Sequence, residues 1–190
     1  MKDNFEKALA ITLEFEGFGK TSNDPDHRGG LTKWGISQES HPEVDIASLT
    51  REQAEGIYKR DYWDPAKCDL LPYPIDILVF DMAVNHGVAR ATRFLQASLN
   101  SLTPCIDPNR PGLRVDGDFG PMSQARLKWF TSFSMLCPSL LGRDLLLRRT
   151  RFYAMLIKNE SQKKFIYGWL RQRVVNLGVK VGFFSVEESI

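Results

Sequence analysis

The apolar residues near the N-terminus repeat with the spacing of an α-helix. Phe5, Leu9, Leu13 and Glu16 stand at positions i, i+4, i+8 and i+11, which places them on one face. The pattern predicts a helix over residues 3–16, and the glycines that follow would end it. A carboxylate is therefore expected on the apolar face, at the C-terminal end of this helix.

Helical patterns also dominate the rest of the chain. The segment up to Ile36 is rich in Asn, Asp, Pro and Gly, which is typical of a loop, and Leu31–Ile36 is a candidate short strand. Thr50 and Gln53 form a capping-box pattern. Helices are expected near residues 50–62, 75–85, 90–100, 121–131, 139–158 and 162–176, with one long loop over 102–120. The sequence predicts a mainly α fold of the α+β type, a helical bundle with a very small β-hairpin near the active site.

Length and composition are those of a globular protein. The chain has 190 residues, of which 43% are hydrophobic and 25% charged, enough for a buried core. No apolar run approaches the roughly 20 residues that a membrane-spanning helix needs. Acidic residues at positions 3, 6, 14 and 16 argue against a cleavable signal peptide. We therefore expect synthesis in the cytoplasm and a separate route of release or export.

The cysteines and histidines give no pattern of a disulfide set or a metal site. Cys68, Cys105 and Cys137 are far apart in the sequence and odd in number, and the three histidines lack i, i+4 spacing. The sequence therefore predicts no metal and no other cofactor.

Charge is distributed unevenly, although the net charge is only +2. Residues 1–81 carry 9 basic and 16 acidic groups, a net charge of −7. Residues 142–176 carry 9 basic and 2 acidic groups, a net charge of +7. This basic segment is either a solvated helix face or a surface for an anionic wall polymer or membrane. No nucleic-acid recognition motif accompanies the charge, so a nucleic-acid partner is not expected.

The N-terminal carboxylate and the loop after it suggest acid–base chemistry. Burial favours the neutral form of a carboxyl group, as a general acid requires, and Glu16 has a suitable position. A glycosidase also needs a second polar group across the scissile bond. Asp26, His27 and Thr32 lie in the following loop, and Trp34 could stack on a sugar ring. Each residue alone is also compatible with an ordinary surface loop.

The order of these residues resembles a known enzyme family. The run E-G-F…D-P-D-H-R-G-G-L-T-K-W-G-I is similar to the signature of the glycoside hydrolase family 108 muramidases, found among phage endolysins and secretion-associated peptidoglycan hydrolases. The similarity continues through the following segments: 49–54, 62–63, 80–87, 94–96, 115–121 and 165–173.

The resemblance implies a lysozyme-like, mainly helical fold with Glu16 as the catalytic acid. It implies a catalytic part over residues 1–100 and a helical peptidoglycan-binding part over 101–190, packed as one compact, monomeric unit. The expected activity is bacteriolytic: hydrolysis of the β-1,4 bond between N-acetylmuramic acid and N-acetylglucosamine in peptidoglycan.

Two departures from the family pattern leave the second catalytic group open. Phe18 replaces a glycine, and counting back from Gly29–Gly30 places His27 where the family's loop carboxylate stands. Counting from Thr32 instead places Asp26 six residues upstream, the separation found in phage-type lysozymes. We prefer Asp26, which would polarise a water molecule together with Thr32. In the alternative, His27 faces the substrate and Glu16 acts largely alone.

Further substrate-binding candidates lie on two predicted helices. Asp81 and Asn85 stand at i and i+4 and are expected to point into the cleft together, or else to serve in helix capping. Tyr62 could line a sugar groove or belong to the core, and His27 and Trp34 complete the set. The turn over 116–121 is expected to be structural.

Two other functions fit the same residues. A lytic transglycosylase needs one glutamate and no positioned water, so the uncertain loop carboxylate keeps this alternative open. A non-enzymatic wall-binding module would follow if the His27 change had removed activity.

Overall fold

The computed structural model describes residues 2–17, 21–22, 30–157 and 160–185, and Asp26 and His27 lie outside these ranges. The described chain is mainly helical, as predicted. The α-helices are α1 (Lys2–Phe15), α2 (Arg51–Tyr58), α3 (Ile75–His86), α4 (Val88–Leu102), α5 (Pro121–Thr131), α6 (Cys137–Leu156), α7 (Glu160–Leu170) and α8 (Leu177–Lys180). Short π-helices span Lys59–Trp63 and Arg171–Asn176, and 3₁₀ turns span Cys68–Leu70 and Thr103–Cys105.

The described sheet is one hairpin of two short antiparallel strands, β1 (Thr32–Lys33) and β2 (Ile36–Ser37). Trp34 and Gly35 form the turn, and both have positive φ, 55° and 74°. Two successive residues with positive φ are typical of a type I′ turn, and the twist of this turn matches the twist of the two strands that it joins. The predicted single strand over Leu31–Ile36 is therefore wrong in detail, because this turn divides it.

Helix α1 ends where the apolar pattern predicted. Its buried face carries Ala8, Leu9, Thr12 and Leu13, and Glu16 follows the last helical residue. Helix α2 begins with the predicted capping box: the Thr50 hydroxyl accepts from the Gln53 backbone N–H, and the Gln53 side chain accepts from the Thr50 N–H.

Helix α3 forms the centre of the fold. All nine of its first residues, 75–83, are buried, and the helix packs against α1, α4 and α6. A helix that is apolar on every side requires neighbours on every side. Polar residues within the buried stretch 75–83, Asp81 among them, are therefore in contact with protein rather than with water.

The C-terminal helices agree with the prediction to within a few residues, except near residue 171. There the helix continues as the π-helix Arg171–Asn176, which contains the buried residues Arg173 and Val174. The wider turn of a π-helix changes which side chains face inward, and such turns occur frequently at functional sites. In the described residues, helices are too short or too polar to form a membrane span.

Candidate active site

An open cavity of about 170 Å³ lies beside the C-terminal end of α1, and we call it the cleft. Its lining comes from α1, the hairpin, α2 with its π-helix, and α3. The lining residues are Glu16, Gly35, Ile36, Ser37, Ser40, His41, Tyr58, Tyr62, Val84 and Asn85. Three of the predicted site residues, Glu16, Tyr62 and Asn85, are therefore brought together.

Glu16 is partly buried, with its side chain 27% exposed. Its Oε1 accepts a hydrogen bond from Nη2 of Arg173, whose own side chain is only 5% exposed. Among the described residues, Arg173 is the hydrogen-bond partner of the Glu16 carboxylate. The ion pair holds one carboxylate oxygen against the buried Arg173, and Glu16 also lines the cleft.

The hairpin turn closes against Glu16. A Cβ atom at Gly35 would lie 2.5 Å from the Tyr58 hydroxyl and 2.9 Å from Cγ of Glu16, so this contact requires glycine, as does the positive φ. The Tyr58 hydroxyl donates to the carbonyl of Trp34 at 2.8 Å. Burial, followed by the charge of Glu16, raises the pKa of Tyr58, so the phenol stays protonated and holds the turn in place.

Asp81 does not line the cleft, and the prediction that it contacts substrate needs correction. It is completely buried on α3, where its Oδ1 accepts from Arg173 and its Oδ2 from Arg149. Burial raises its pKa, but the two guanidinium groups outweigh this effect and leave the pKa below its usual value. Asp81 therefore acts on Glu16 through Arg173, as a positioning residue.

Asn85 lies one turn after Asp81 and does line the cleft. Its Oδ1 accepts from the Tyr153 hydroxyl at 2.9 Å, and that hydroxyl accepts from Nε of Arg149 at 3.0 Å. Asp81 belongs to a buried network of four charged residues, which we call the ionic cluster: Glu16, Arg173, Asp81 and Arg149. Asn85, one turn later on α3, is connected to this cluster through the Tyr153 hydroxyl.

His41 and Asp61 form a second polar wall that the sequence did not indicate. Nε2 of His41 lies 3.0 Å from Oδ2 of Asp61. The hydrogen bond from Arg60 and a smaller contribution from His41 hold the pKa of Asp61 below its usual value, against the effect of burial. The wall adds an imidazole and, beside it, Ser37 and Ser40 to the cleft.

Thr32 and Trp34, two further predicted site residues, belong to the hairpin. The Thr32 hydroxyl on β1 donates to the Gly30 carbonyl at 3.3 Å, and Trp34 packs against the core. In the described part of the chain, the lining of the cleft includes neither residue. Asp26 and His27 fall outside the described residues, so their competing roles stay predictions.

Arg149 and Arg173 are the residues that sequence reasoning missed. Both belong to the basic segment 142–176, which was expected to be a solvated face or an anion-binding surface. Instead, both are buried and bind carboxylates of the acidic segment 1–81. The opposite charges of the two segments were the one available signal, because buried charges are normally paired.

Comparisons with known proteins divide the chain into two matched regions. Residues 9–87 match the family model described as Glycosyl hydrolase 108, and residues 90–174 match the one described as Predicted Peptidoglycan domain. Among solved structures, SagA of Brucella abortus is similar over 100% of both chains, with a TM-score of 0.72 and 22% sequence identity, which shows a shared fold. No match is found among curated protein sequences.

Proposed function

We propose that this chain, which belongs to the glycosyl hydrolase 108 family and is a peptidoglycan hydrolase, uses Glu16 as its general acid. The bond cleaved is the β-1,4 bond between N-acetylmuramic acid and N-acetylglucosamine. This substrate places the action of the enzyme at the cell wall. The observation that carries the proposal is the position of Glu16, partly buried at the edge of the cleft with one carboxylate oxygen held by Arg173.

In the proposed reaction, the proton of the Glu16 carboxyl group moves to the glycosidic oxygen. The bond between this oxygen and C1 of N-acetylmuramic acid then breaks, through a transition state with oxocarbenium character. A water molecule attacks C1 from the opposite face, and its proton passes to Asp26. Thr32 would orient this water, and the configuration at C1 would invert.

The hairpin supports the assignment of Thr32. Gly35 packs directly on Glu16, and Thr32 lies on the first strand of the same hairpin. The proposed role of Asp26 rests on its place in the sequence, six residues before Thr32. A separation of roughly 6.5–9.5 Å between the two carboxyl groups would fit an inverting enzyme.

Arg173 supports Glu16 after proton transfer. Once the proton has left, its guanidinium group stabilises the charged Glu16 carboxylate through a charge-assisted hydrogen bond. Arg173 is itself buried, so it also holds this carboxylate in one position at the edge of the cleft.

Glu16→Gln tests the proposal directly. This variant keeps the size and hydrogen-bonding shape of the side chain but cannot donate the catalytic proton. We expect release of soluble muropeptides from purified sacculi to fall at least about 100-fold, as for loss of a general acid. The circular dichroism spectrum should remain that of the folded protein.

Glu14→Gln is the matched control. Glu14 lies two residues earlier on α1 and makes an exposed ion pair with Lys180 at 2.7 Å. It should retain the activity of the unmodified protein. Full activity in Glu16→Gln, or equal losses in both variants, would contradict the role of Glu16.

One observation favours a second candidate, a lytic transglycosylase. In the described part of the chain, Glu16 is the single carboxylate that lines the cleft. A transglycosylase needs one such group, because the sugar's own hydroxyl replaces the water. Mass spectrometry of the released muropeptides separates the two reactions: reducing ends indicate hydrolysis, and 1,6-anhydro ends indicate transglycosylation.

A further inference from the structure

A second cavity of about 590 Å³ lies in the region that matches the peptidoglycan domain. It is formed by the loop over residues 110–120, the beginning of α5, and the side chains of Gln96 and Arg126. We call it the loop cavity. Its volume falls within the range of about 300–1,000 Å³ that is usual for small-ligand sites.

The loop that forms this cavity is fixed by amide side chains of α4. Nε2 of Gln96 donates to Oδ1 of Asp116 at 2.8 Å, and its Oε1 accepts from the Gly117 backbone N–H at 2.9 Å. One turn later, Asn100 exchanges two hydrogen bonds with the backbone of Leu113, at 2.8 and 2.7 Å. The cavity is thus preformed, which lowers the entropic cost of binding.

Three arginine side chains, Arg110, Arg114 and Arg126, line the cavity, and Arg110 is paired with Asp107 at 3.2 Å. Arg126 is 8% exposed, and its hydrogen bonds go to neutral groups, the Thr103 hydroxyl and the Pro111 carbonyl. Burial, followed by the nearby charge of Arg110, lowers its pKa. Arg110 stacks over Trp129, with 3.8 Å from its Cζ to the ring centroid, and Arg114 lies exposed at the rim.

The first turn of α5 adds partial positive charge. It begins after Gly120, without a hydrogen bond from a side-chain cap, and its first residues line the cavity. Backbone N–H groups at a helix N-terminus attract anions. Together with Arg114 and Arg126, this arrangement fits a carboxylate.

Two carboxylates, Asp116 and Asp118, also line the cavity. The hydrogen bond from Gln96 keeps the pKa of Asp116 below its usual value. The combination fits a ligand that carries both carboxylates and a free amine. Leu113 and Met122 add apolar surface, and Met122 is 75% exposed.

We infer that the loop cavity binds the peptide stem of peptidoglycan. The glycan strand carries mainly hydroxyl and amide groups, whereas the stem carries free carboxylates and, where it contains a diamino acid, a free amine. The stem carboxylates would lie against Arg114, Arg126 and the N-terminus of α5, and the amine against Asp116 and Asp118. This inference rests on peptidoglycan as the substrate, and it assigns the second matched region a specific part of that polymer.

Binding of a free stem peptide tests the inference without any hydrolysis. The probe is the tripeptide L-Ala–γ-D-Glu–meso-diaminopimelate, titrated into the full ¹⁵N-labelled chain and followed by NMR and calorimetry. We expect saturable binding, with shifts of the backbone amides of Leu113, Gly117 and Met122. No saturable binding, or shifts confined to residues of the cleft, would overturn the inference.

Arg114→Glu and Arg143→Glu form a matched pair. Both arginines are exposed, and the two substitutions change the charge by the same amount. Arg143 lies on α6, outside the lining of the loop cavity. We expect Kd for the tripeptide to rise at least tenfold in Arg114→Glu and to stay unchanged in Arg143→Glu. Equal weakening in both variants would indicate general attraction by positive charge and would overturn the inference. Met122→Trp, which fills the cavity without changing charge, should weaken binding as well.

Sacculi and peptide-free glycan strands separate this inference from the proposed function. If Glu16 is not the acid, Glu16→Gln still cleaves both substrates, but tripeptide binding is unaffected. If the inference is wrong, Arg114→Glu and the unmodified protein prefer intact sacculi over peptide-free strands to the same extent. The inference expects this preference to be lost in Arg114→Glu.

Discussion

The ionic cluster beside the cleft and the loop cavity are both held together by polar side chains, which are charged in the cluster and neutral in the loop cavity. Each joins segments that are far apart in the sequence, and each is built around polar side chains of a core helix. The cluster places Asp81 and Arg149 fully out of water. The loop cavity is held by neutral amides, those of the buried Gln96 and the partly buried Asn100.

This difference determines how each region responds to a change. A buried ion pair gains little net stability over apolar packing, but loss of one partner leaves an uncompensated charge in the interior. Loss of a neutral hydrogen bond leaves an unpaired dipole rather than an unpaired charge, so it costs less. We therefore expect charged residues beside Glu16, where the guanidinium group interacts with a catalytic carboxylate. Neutral amides are sufficient at the loop cavity, where the loop over 110–120 only has to be held in place.

Asp81→Asn should show the largest effect, because it leaves the buried Arg149 without a carboxylate and leaves Arg173 with Glu16 alone. We expect the free energy of unfolding to decrease by about 3–5 kcal/mol, measured by urea denaturation. Asp144→Asn is the control, since Asp144 pairs with Arg148 at 2.7 Å on one face of α6 and keeps access to water. It should cost about 1 kcal/mol or less. Similar losses in the two variants would contradict the special cost of the cluster.

Arg173→Gln should cost somewhat less stability, about 3 kcal/mol, because Asp81 keeps Arg149 as a partner. Its diagnostic effect is on activity. The Glu16 carboxylate that remains after proton transfer loses the group that stabilises and positions it, so kcat for release of muropeptides should fall at least about tenfold. The exposed Arg171→Gln variant controls for loss of charge and should keep the original rate. An unchanged kcat in Arg173→Gln would show that this contact does not support catalysis.

Gln96→Leu should cost about 1–2 kcal/mol, since the Gly117 N–H and the loop acceptors lose an amide partner. We also expect weaker tripeptide binding, because the loop is no longer fixed. Gln124→Leu, which removes a single hydrogen bond to the Phe119 carbonyl, is the comparison. A larger loss of stability in Gln96→Leu than in Asp81→Asn would reverse the proposed contrast between the two regions.

His86 provides the smallest test, on the edge of the ionic cluster. It packs against Phe152 and Tyr153, and burial together with the charge of Arg149 lowers its pKa to about 3. An unfolded chain binds a proton at this histidine below about pH 6.5, whereas the folded protein does not until about pH 3. Its contribution to stability is therefore complete above pH 6.5 and is lost as the pH falls through this window.

His86→Phe should remove that dependence. Between pH 7.5 and 5.5, we expect the unmodified protein to lose about 1.4 kcal/mol more stability than the variant. The measurement is the free energy of unfolding at the two pH values. Equal losses would mean that His86 is not held neutral by its surroundings.

Local patterns in the sequence were sufficient for most of the fold. The spacing of Phe5, Leu9 and Leu13 gave α1 and placed Glu16 at its end, and Thr50 gave the start of α2. These features depend on neighbours within a few residues, so periodicity and capping rules apply to them.

The contacts of the site could not be predicted in this way. The ion pair between Glu16 and Arg173 joins residues 157 positions apart. Arg173 also lies in a π-helix, which departs from the 3.6-residue period used to assign faces. The i, i+4 spacing of Asp81 and Asn85 correctly placed both residues on one face of α3. It could not indicate that Arg149 and Arg173 bind Asp81 there and separate it from the cleft.

Arg149 and Arg173 belong to the region that matches the peptidoglycan domain, yet both bind carboxylates of the hydrolase region. Replacing the second matched region with a segment from another protein would therefore remove the counter-ions of Glu16 and Asp81. Recombination at the boundary between the two regions is therefore expected to yield an unstable, inactive product unless both arginines are carried over.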